Sequence, residues 1–334
     1  MKVKQVKQVQ RYDAATEERL RKDPFITLWR NNYAENTAKG YLSDSRSRPL
    51  LFIKNTRPYA NLPVVIVAAG PSLDKNIELL REYQNNCIVI CADVIVFKLL
   101  QNGIQPDFVC NIDPHPNLKR FWNGINTEGM TLVCPTTTNP ATLVTWKGKI
   151  YFFNQSDIDK SHKGEALKKL IKPTENWGIL FNRFFVGSTM FQFTEYLNPS
   201  VIILVGHDFC YTDDKAFCDG FLDIKIHHDE NPVGSDEHTY MINKLKAEEI
   251  HKDLQVKISL AESVWTSNAL NLYKNTLLGL IRKSRLRVIN STEGGIMTEV
   301  EKMSLKMSLE HFCNKPVTKI DTFSFNGRKR KKRR

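Results

Sequence analysis

Apolar residues recur along this chain in two alternating rhythms. Short, mostly apolar runs that predict strands occur at 64–69, 87–91, 107–112, 131–134, 150–153, 201–205 and 286–290. Runs of that length without polar alternation are expected of strands buried on both faces, as in a parallel sheet. Between them, apolar positions return every three to four residues at 73–83, 93–102, near 188–197, at about 264–282 and near 298–312. That spacing predicts helices with one buried face, such as the face shared by Leu73, Ile77 and Leu80. Strand and helix runs in alternation predict an α/β fold: a doubly wound, mostly parallel, Rossmann-like sheet. Residues 1–60 are polar and helix-leaning, and Phe25, Leu28 and Trp29 give them an apolar face for docking as an N-terminal helical cap. The α/β domain then covers 61–315, and 316–334 form a basic tail. Residues 219–258 are rich in His, Asp, Glu and Lys and break the rhythm, which predicts an inserted, surface-exposed region over the sheet edge.

Composition narrows the class. An apolar fraction of 41% and a charged fraction of 25% are those of a soluble globular protein. No apolar run is long enough to span a membrane, and Met1-Lys2-Val3-Lys4 opens no signal-peptide core, so the expected location is cytoplasmic. The seven cysteines are scattered and form no C-x-x-C pair, which argues against structural zinc and for a reducing compartment. Of the net charge of +12, the last seven residues supply +7, leaving +5 for the rest. Such a tail predicts non-specific, salt-sensitive contact with nucleic acid. It lacks the interleaved aromatics of a specific reader.

Candidate chemistry gathers at predicted strand ends. The run Val64–Ala69 stops at Gly70, which permits a tight turn; Pro71 has a helix-compatible φ, and Ser72 is placed to cap the following helix. A helix start with small residues around it suits a phosphate. Four further ends carry polar groups: Asp93; Asn111 with Asp113; Gly187-Ser188-Thr189; and Gly206-His207-Asp208. Taken singly, each is ordinary turn or capping chemistry. In a parallel sheet, however, all five open on one edge and converge on one crevice. Gly70, Ser72, Gly187, Ser188 and Thr189 then offer backbone and hydroxyl donors to phosphate oxygens, with Pro71 and Gly206 shaping the nucleotide-binding turns. Asn111 suits a base or ribose. Asp93, Asp113 and Asp208 suit ribose hydroxyls or Mg²⁺. No G-x-x-x-x-G-K-[ST] and no G-x-G-x-x-G is present, which sets aside P-loop NTPases and standard dinucleotide oxidoreductases.

These segments together resemble the MptE-like/motility accessory factor (Maf) superfamily. The resemblance rests on Val-Ala-Ala-Gly-Pro-Ser-Leu-Asp (67–74), Gly-Ile-Gln-Pro-Asp-Phe-Val-Cys-Asn-Ile-Asp-Pro (103–114) and Gly-Ser-Thr (187–189). It extends to Leu-Val-Gly-His-Asp-Phe-Cys-Tyr-Thr-Asp (204–213), Val-Trp-Thr-Ser (264–267) and Val-Ile-Asn-Ser-Thr-Glu-Gly-Gly-Ile (288–296). Maf-type members are implicated in transferring nonulosonic acids from CMP-sugars, on a core similar to bacterial sialyltransferases. MptE-type members are Mg²⁺-dependent kinases that move diphosphate from ATP to 6-hydroxymethyl-dihydropterin. The resemblance is closer to the Maf branch. That branch implies a CMP-sugar glycosyltransferase acting on a small-molecule or glycan acceptor, without a covalently bound cofactor. The alternatives are an ATP- and Mg²⁺-dependent pterin diphosphokinase, with Asp113 as metal ligand, and a non-catalytic nucleotide-binding derivative of the kind found in phages. Asn111-Ile112-Asp113 stands where the kinase branch has Asp-Leu-Asp, and His207 where the Maf branch commonly has Gln. Asp113 and Asp208, by their strand-end positions, and His238 are the catalytic candidates; similarity to the sialyltransferases implies His238 as general base ahead of the helical run 239–249.

Overall fold

The computed structural model describes residues 24–156, 169–181, 185–212, 215–220, 254–257, 263–321 and 323. In chain order the elements begin with α1 (Pro24–Ala38), β1 (Ser47–Pro49), α2 (Leu51–Thr56), β2 (Pro63–Val67), α3 (Leu73–Tyr83) and β3 (Ile88–Ala92). Next come α4 (Val96–Gln101), β4 (Phe108–Cys110), β5 (Thr131–Pro135), α5 (Pro140–Thr145), β6 (Lys149–Ser156) and β7 (Ile179–Phe181). The last group is α6 (Val186–Leu197), β8 (Val201–Val205), β9 (Leu254–Lys257), β10 (Ser263–Thr266), α7 (Asn268–Ile281), β11 (Val288–Asn290) and α8 (Leu305–Phe312).

Nine strands form one sheet in the order β1-β6-β5-β4-β3-β2-β8-β11, with β7 also paired to β6. Every pairing in it is parallel. Complete burial of β2, β3 and β8 explains why their sequences lack alternation. Helix α3 buries Leu73, Asn76, Ile77 and Leu80, and α6 buries most of its length. Phe193 of α6 meets Phe108 of β4 edge-on at 5.0 Å, which seats α6 across the middle of the sheet. The chain steps outward from β2 through β3, β4, β5 and β6, then returns to lay β8 on the other side of β2. Strand order therefore reverses between β2 and β8, and a crevice opens at the carboxyl ends of that pair.

Several elements differ from the sequence expectation. The segment expected as a helical cap also supplies β1, which pairs with β6 through Ser47↔Ile150. Two asparagines of α1 fasten it to the carboxyl edge: Asn32 donates to the Pro114 and Thr137 carbonyls, Asn36 to those of Thr136 and Thr138. Helix α7 begins at Asn268, not near 264, because Ser263–Thr266 pairs antiparallel with β9. Val264, Trp265 and Thr266 favour a strand, and Ser267 caps the helix by accepting from Leu270 N at 3.1 Å. Helix α8 is likewise shorter than expected: the chain before it runs beside β11, where Asn290 N donates to the Glu301 carbonyl at 2.7 Å. Residues 221–253, most of the expected insertion, lie outside the described residues, as does the tail 324–334. The insertion's root is anchored: buried Lys98 pairs with Asp74 of α3 and donates to the Asp219 carbonyl at 2.6 Å. No described helix is long and apolar enough to cross a membrane, and all seven cysteines are buried and free.

Candidate functional site

At the reversal point the ends of β2, β8 and β11 interlock. Asp208, 1% exposed, accepts a hydrogen bond from Ser72 N at 3.1 Å and another from Ser72 Oγ at 2.7 Å. Ser72 therefore does not cap α3 with its own side chain; its hydroxyl reaches across to Asp208 instead. The carboxylate occupies the place at the start of α3 where an anion is favoured. Gly70 makes this approach possible. A Cβ there would lie 2.6 Å from Asp208 Cγ and 2.5 Å from the Gly206 carbonyl. Gly206, at φ 70°, accepts from Gly70 N at 2.9 Å and closes the two turns together. Gly295, at φ 75°, lies against the Asp208 backbone, and Ile296 N donates to the Asp208 carbonyl at 2.9 Å. Burial pushes the Asp208 carboxyl up to about 6, while the hydrogen bonds from Ser72 pull it down.

Beside Asp208, His207 is also buried. Its Nδ1 lies 3.0 Å from the Val205 carbonyl, an acceptor that fixes Nδ1–H as the donor. Burial lowers the imidazole to about 4, so the ring is neutral near pH 7 and Nε2 presents a lone pair. That Nε2 meets no partner among the described residues.

A second group lies on the other side of β2. The register Ala92↔Cys110 sets Asp93 beside Asn111, and Asn111 Nδ2 donates to Asp93 Oδ2 at 2.7 Å. Burial pushes Asp93 up to about 6; the Asn111 hydrogen bond opposes this, and the charge of Asp113 adds to it. Asp113 is exposed at the rim and accepts from His115 N at 2.9 Å in a local turn. Gly187, Ser188 and Thr189 form the buried first turn of α6. Ser188 Oγ donates to the Phe185 carbonyl at 2.8 Å, while the Thr189 hydroxyl has no partner among the described residues. Further along the edge, Asn111 Oδ1, Thr137 Oγ1 and both amide atoms of Gln155 are buried and equally without partners among the described residues. Among the described residues, no three His, Cys, Asp or Glu side chains are close enough to hold a metal ion. His238 lies outside the described residues.

The sequence profile described as "6-hydroxymethylpterin diphosphokinase MptE-like" matches residues 31–214, more than half of the chain. This chain belongs to the MptE-like family. A comparison with curated proteins found no match. Among solved structures, the chain is similar to a MAf glycosyltransferase from Magnetospirillum magneticum AMB-1, with a TM-score of 0.53 and 16% identity. The match covers 84% of this chain and 42% of that protein, so this chain spans less than half of its length. At that identity the likeness is one of fold, and it agrees with the α/β, Rossmann-like architecture. The family match takes in β2 to β8, and so contains Ser72, Asp93, Asn111, the start of α6 and Asp208.

Sequence reasoning reached these residues through the turn chemistry of strand ends. It missed the grip of Gly294 and Gly295 on Asp208 and Ser72 and the Asn32 and Asn36 clamps. The adjacent glycines 294–295 carried a signal: a pair of glycines after a strand marks a close backbone approach. Nothing local marked the two asparagines of α1.

Proposed function

We propose that this chain is a nucleotide-dependent transferase with a CMP-activated sugar as donor. The observation that carries the reading is the set of buried polar atoms along the carboxyl edge of the sheet that have no partner among the described residues. Buried polar groups are nearly always hydrogen-bonded, so such a set calls for a polar ligand or ordered water. Asn111 Oδ1, Thr137 Oγ1, the Gln155 amide, Thr189 Oγ1 and His207 Nε2 are all uncharged. Neutral donors and acceptors of this kind suit a nucleobase and sugar hydroxyls. The start of α6 suits the phosphate, since its first turn is buried against the sheet and carries a free hydroxyl. Asp208 is a poor neighbour for a bare phosphate while it is ionised. Its pKa near 6 instead fits a group that exchanges a proton with a substrate hydroxyl.

Calorimetry with CMP and ATP, each with and without Mg²⁺, tests the reading. CMP is expected to bind more tightly than ATP and independently of Mg²⁺. Absence of CMP binding, or equal binding of the two, would overturn it.

The family description supports a second reading, transfer of diphosphate from ATP to a hydroxymethylpterin. For that reaction Mg²⁺ would be held by Asp113, with Asp93 behind it, and would offset charge on the phosphates. The fit is limited, since one Asp113 oxygen already serves His115 N and Asp93 is engaged by Asn111 and Val94 N. Release of AMP from ATP in the presence of 6-hydroxymethyl-dihydropterin would favour this reading over the first.

A further inference from the structure

A cavity of about 420 Å³ opens beside the Ser72–Asp208 interlock, on the side of β11. Asn290, Glu293, Gly294, Gly295, Lys302 and Ser304 contribute to its lining. Its size falls within the range of small-molecule sites. One wall touches the interlock, because Gly294 is the residue whose Cβ would lie 3.3 Å from both Asp208 Oδ1 and Ser72 Cβ. Lys302 is exposed and makes no ion pair among the described residues. The backbone N–H groups of Gly294 and Gly295 donate to no acceptor among the described residues. Glu293 and Gly295 both take positive φ, at 57° and 75°, a local geometry that turns successive N–H groups toward one side. Glu293 is the carboxylate of the lining. One of its oxygens accepts from Asn76 Nδ2 at 3.0 Å and from Leu305 N at 3.1 Å. Its charge is thus set against the start of α8, which offsets it. Its other oxygen provides an acceptor suited to a hydroxyl, whereas the buried Asn290 amide is engaged with the Met297 carbonyl and Thr292 N.

We infer that this cavity binds a polyhydroxylated second substrate through an oxyanion on it, a carboxylate or a phosphate monoester. Lys302 and the Gly294 and Gly295 N–H groups hold the oxyanion, and the open oxygen of Glu293 meets a hydroxyl. Gly294 separates this ligand from Asp208 by a single backbone thickness, so the cavity and the interlock share one wall. The role as second-substrate site rests on the transferase reading, whereas binding of an acidic sugar does not.

The test is calorimetry on the full chain, without nucleotide, using glucose 6-phosphate, glucuronate and glucose. At least one acidic sugar is expected to bind about tenfold or more tightly than glucose, and the two acidic probes separate phosphate from carboxylate. Loss of one charge-assisted contact in Lys302→Met should weaken that binding by about tenfold or more. Lys302→Arg should retain it within a few-fold, and Lys283→Met, exposed just beyond the end of α7, should leave it unchanged. Glucose binding as well as the acidic sugars would overturn the inference. So would no acidic-sugar binding at millimolar concentration, or Lys302→Met binding like the parent. A chain that binds an acidic sugar through Lys302 but fails to bind CMP or ATP would overturn the transferase reading and leave this site standing.

Discussion

Replacing Asp208 by Asn should stabilise the protein near neutral pH while impairing the site. The carboxyl has an ordinary value of 3.8 and is pushed up to about 6, chiefly by burial. A difference of about two pKa units corresponds to about 3 kcal/mol. The folded chain holds this proton more tightly than the unfolded chain does. Its contribution is therefore fully present below pH 3.8 and is lost as pH rises through about 6. Above that range, the ionised carboxylate costs the fold about 3 kcal/mol relative to its neutral form. Asn keeps an acceptor for Ser72 N, and the Ser72 hydroxyl can turn to accept from the new amide. Imperfect geometry in that exchange costs about 1 kcal/mol, leaving a net gain of about 2 kcal/mol. In a chain of this size, that gain raises Tm by roughly 3 °C.

Thermal unfolding of the parent and Asp208→Asn from about pH 4 to about pH 8 checks this. The gain should be largest at the alkaline end and should vanish or change sign near pH 4. Nucleotide affinity or turnover should fall in the variant across the same range. A lower Tm for the variant at neutral pH would show that the charge holds the interlock together, and the reasoning would fail. A difference that does not vary with pH would fail it equally. Keeping a buried carboxylate that destabilises the fold is the pattern of a functional group rather than of a capping residue.

Three further outcomes follow from the same geometry. Gly70→Val places carbon where the Asp208 carboxylate and the Gly206 carbonyl already lie, so soluble yield and Tm should drop together, by several kcal/mol of stability; a folded variant with parental Tm would contradict the close approach. His207→Gln removes an imidazole lowered from 6.5 to about 4, whose contribution to stability is present above pH 6.5 and lost as pH falls through about 4. The parent's stability relative to this variant should therefore fall by about 3 kcal/mol between those limits, and a flat difference would contradict a buried neutral ring. Deleting residues 328–334 should abolish salt-sensitive binding to DNA or RNA in a filter-binding assay, and binding that survives would place a nucleic-acid site elsewhere.

The sheet was legible because burial on both faces leaves its mark in each strand separately. Val64–Val67, Ile88–Cys91 and Val201–Val205 are apolar without interruption, and that pattern needs no knowledge of neighbours. Helix ends were less legible. Val264–Thr266 fits a helical period as well as a strand, and only its pairing with Leu254–Lys257 decides between them. Strands of three residues, such as β1 and β7, are too short to carry a period at all.

The site shows the same division more sharply. Gly70 was legible as a place of close approach, because a glycine between a strand and a helix implies that something comes near the backbone. What comes near was not legible. The expected visitor was a phosphate; the structure puts the carboxylate of Asp208 there, 136 residues along the chain from the Ser72 it binds. A strand end therefore reveals that its backbone N–H groups are available, but not whether another strand end has already claimed them. In this fold the claim is made between the two strands that flank the reversal in strand order. An incoming anion must then share the start of α3 with Asp208 or bind elsewhere along the edge. The unpartnered polar atoms along β4, β5, β6 and the start of α6 favour the second course. This also explains how Ser72 and Asp208 can shape the crevice without either one gripping a phosphate.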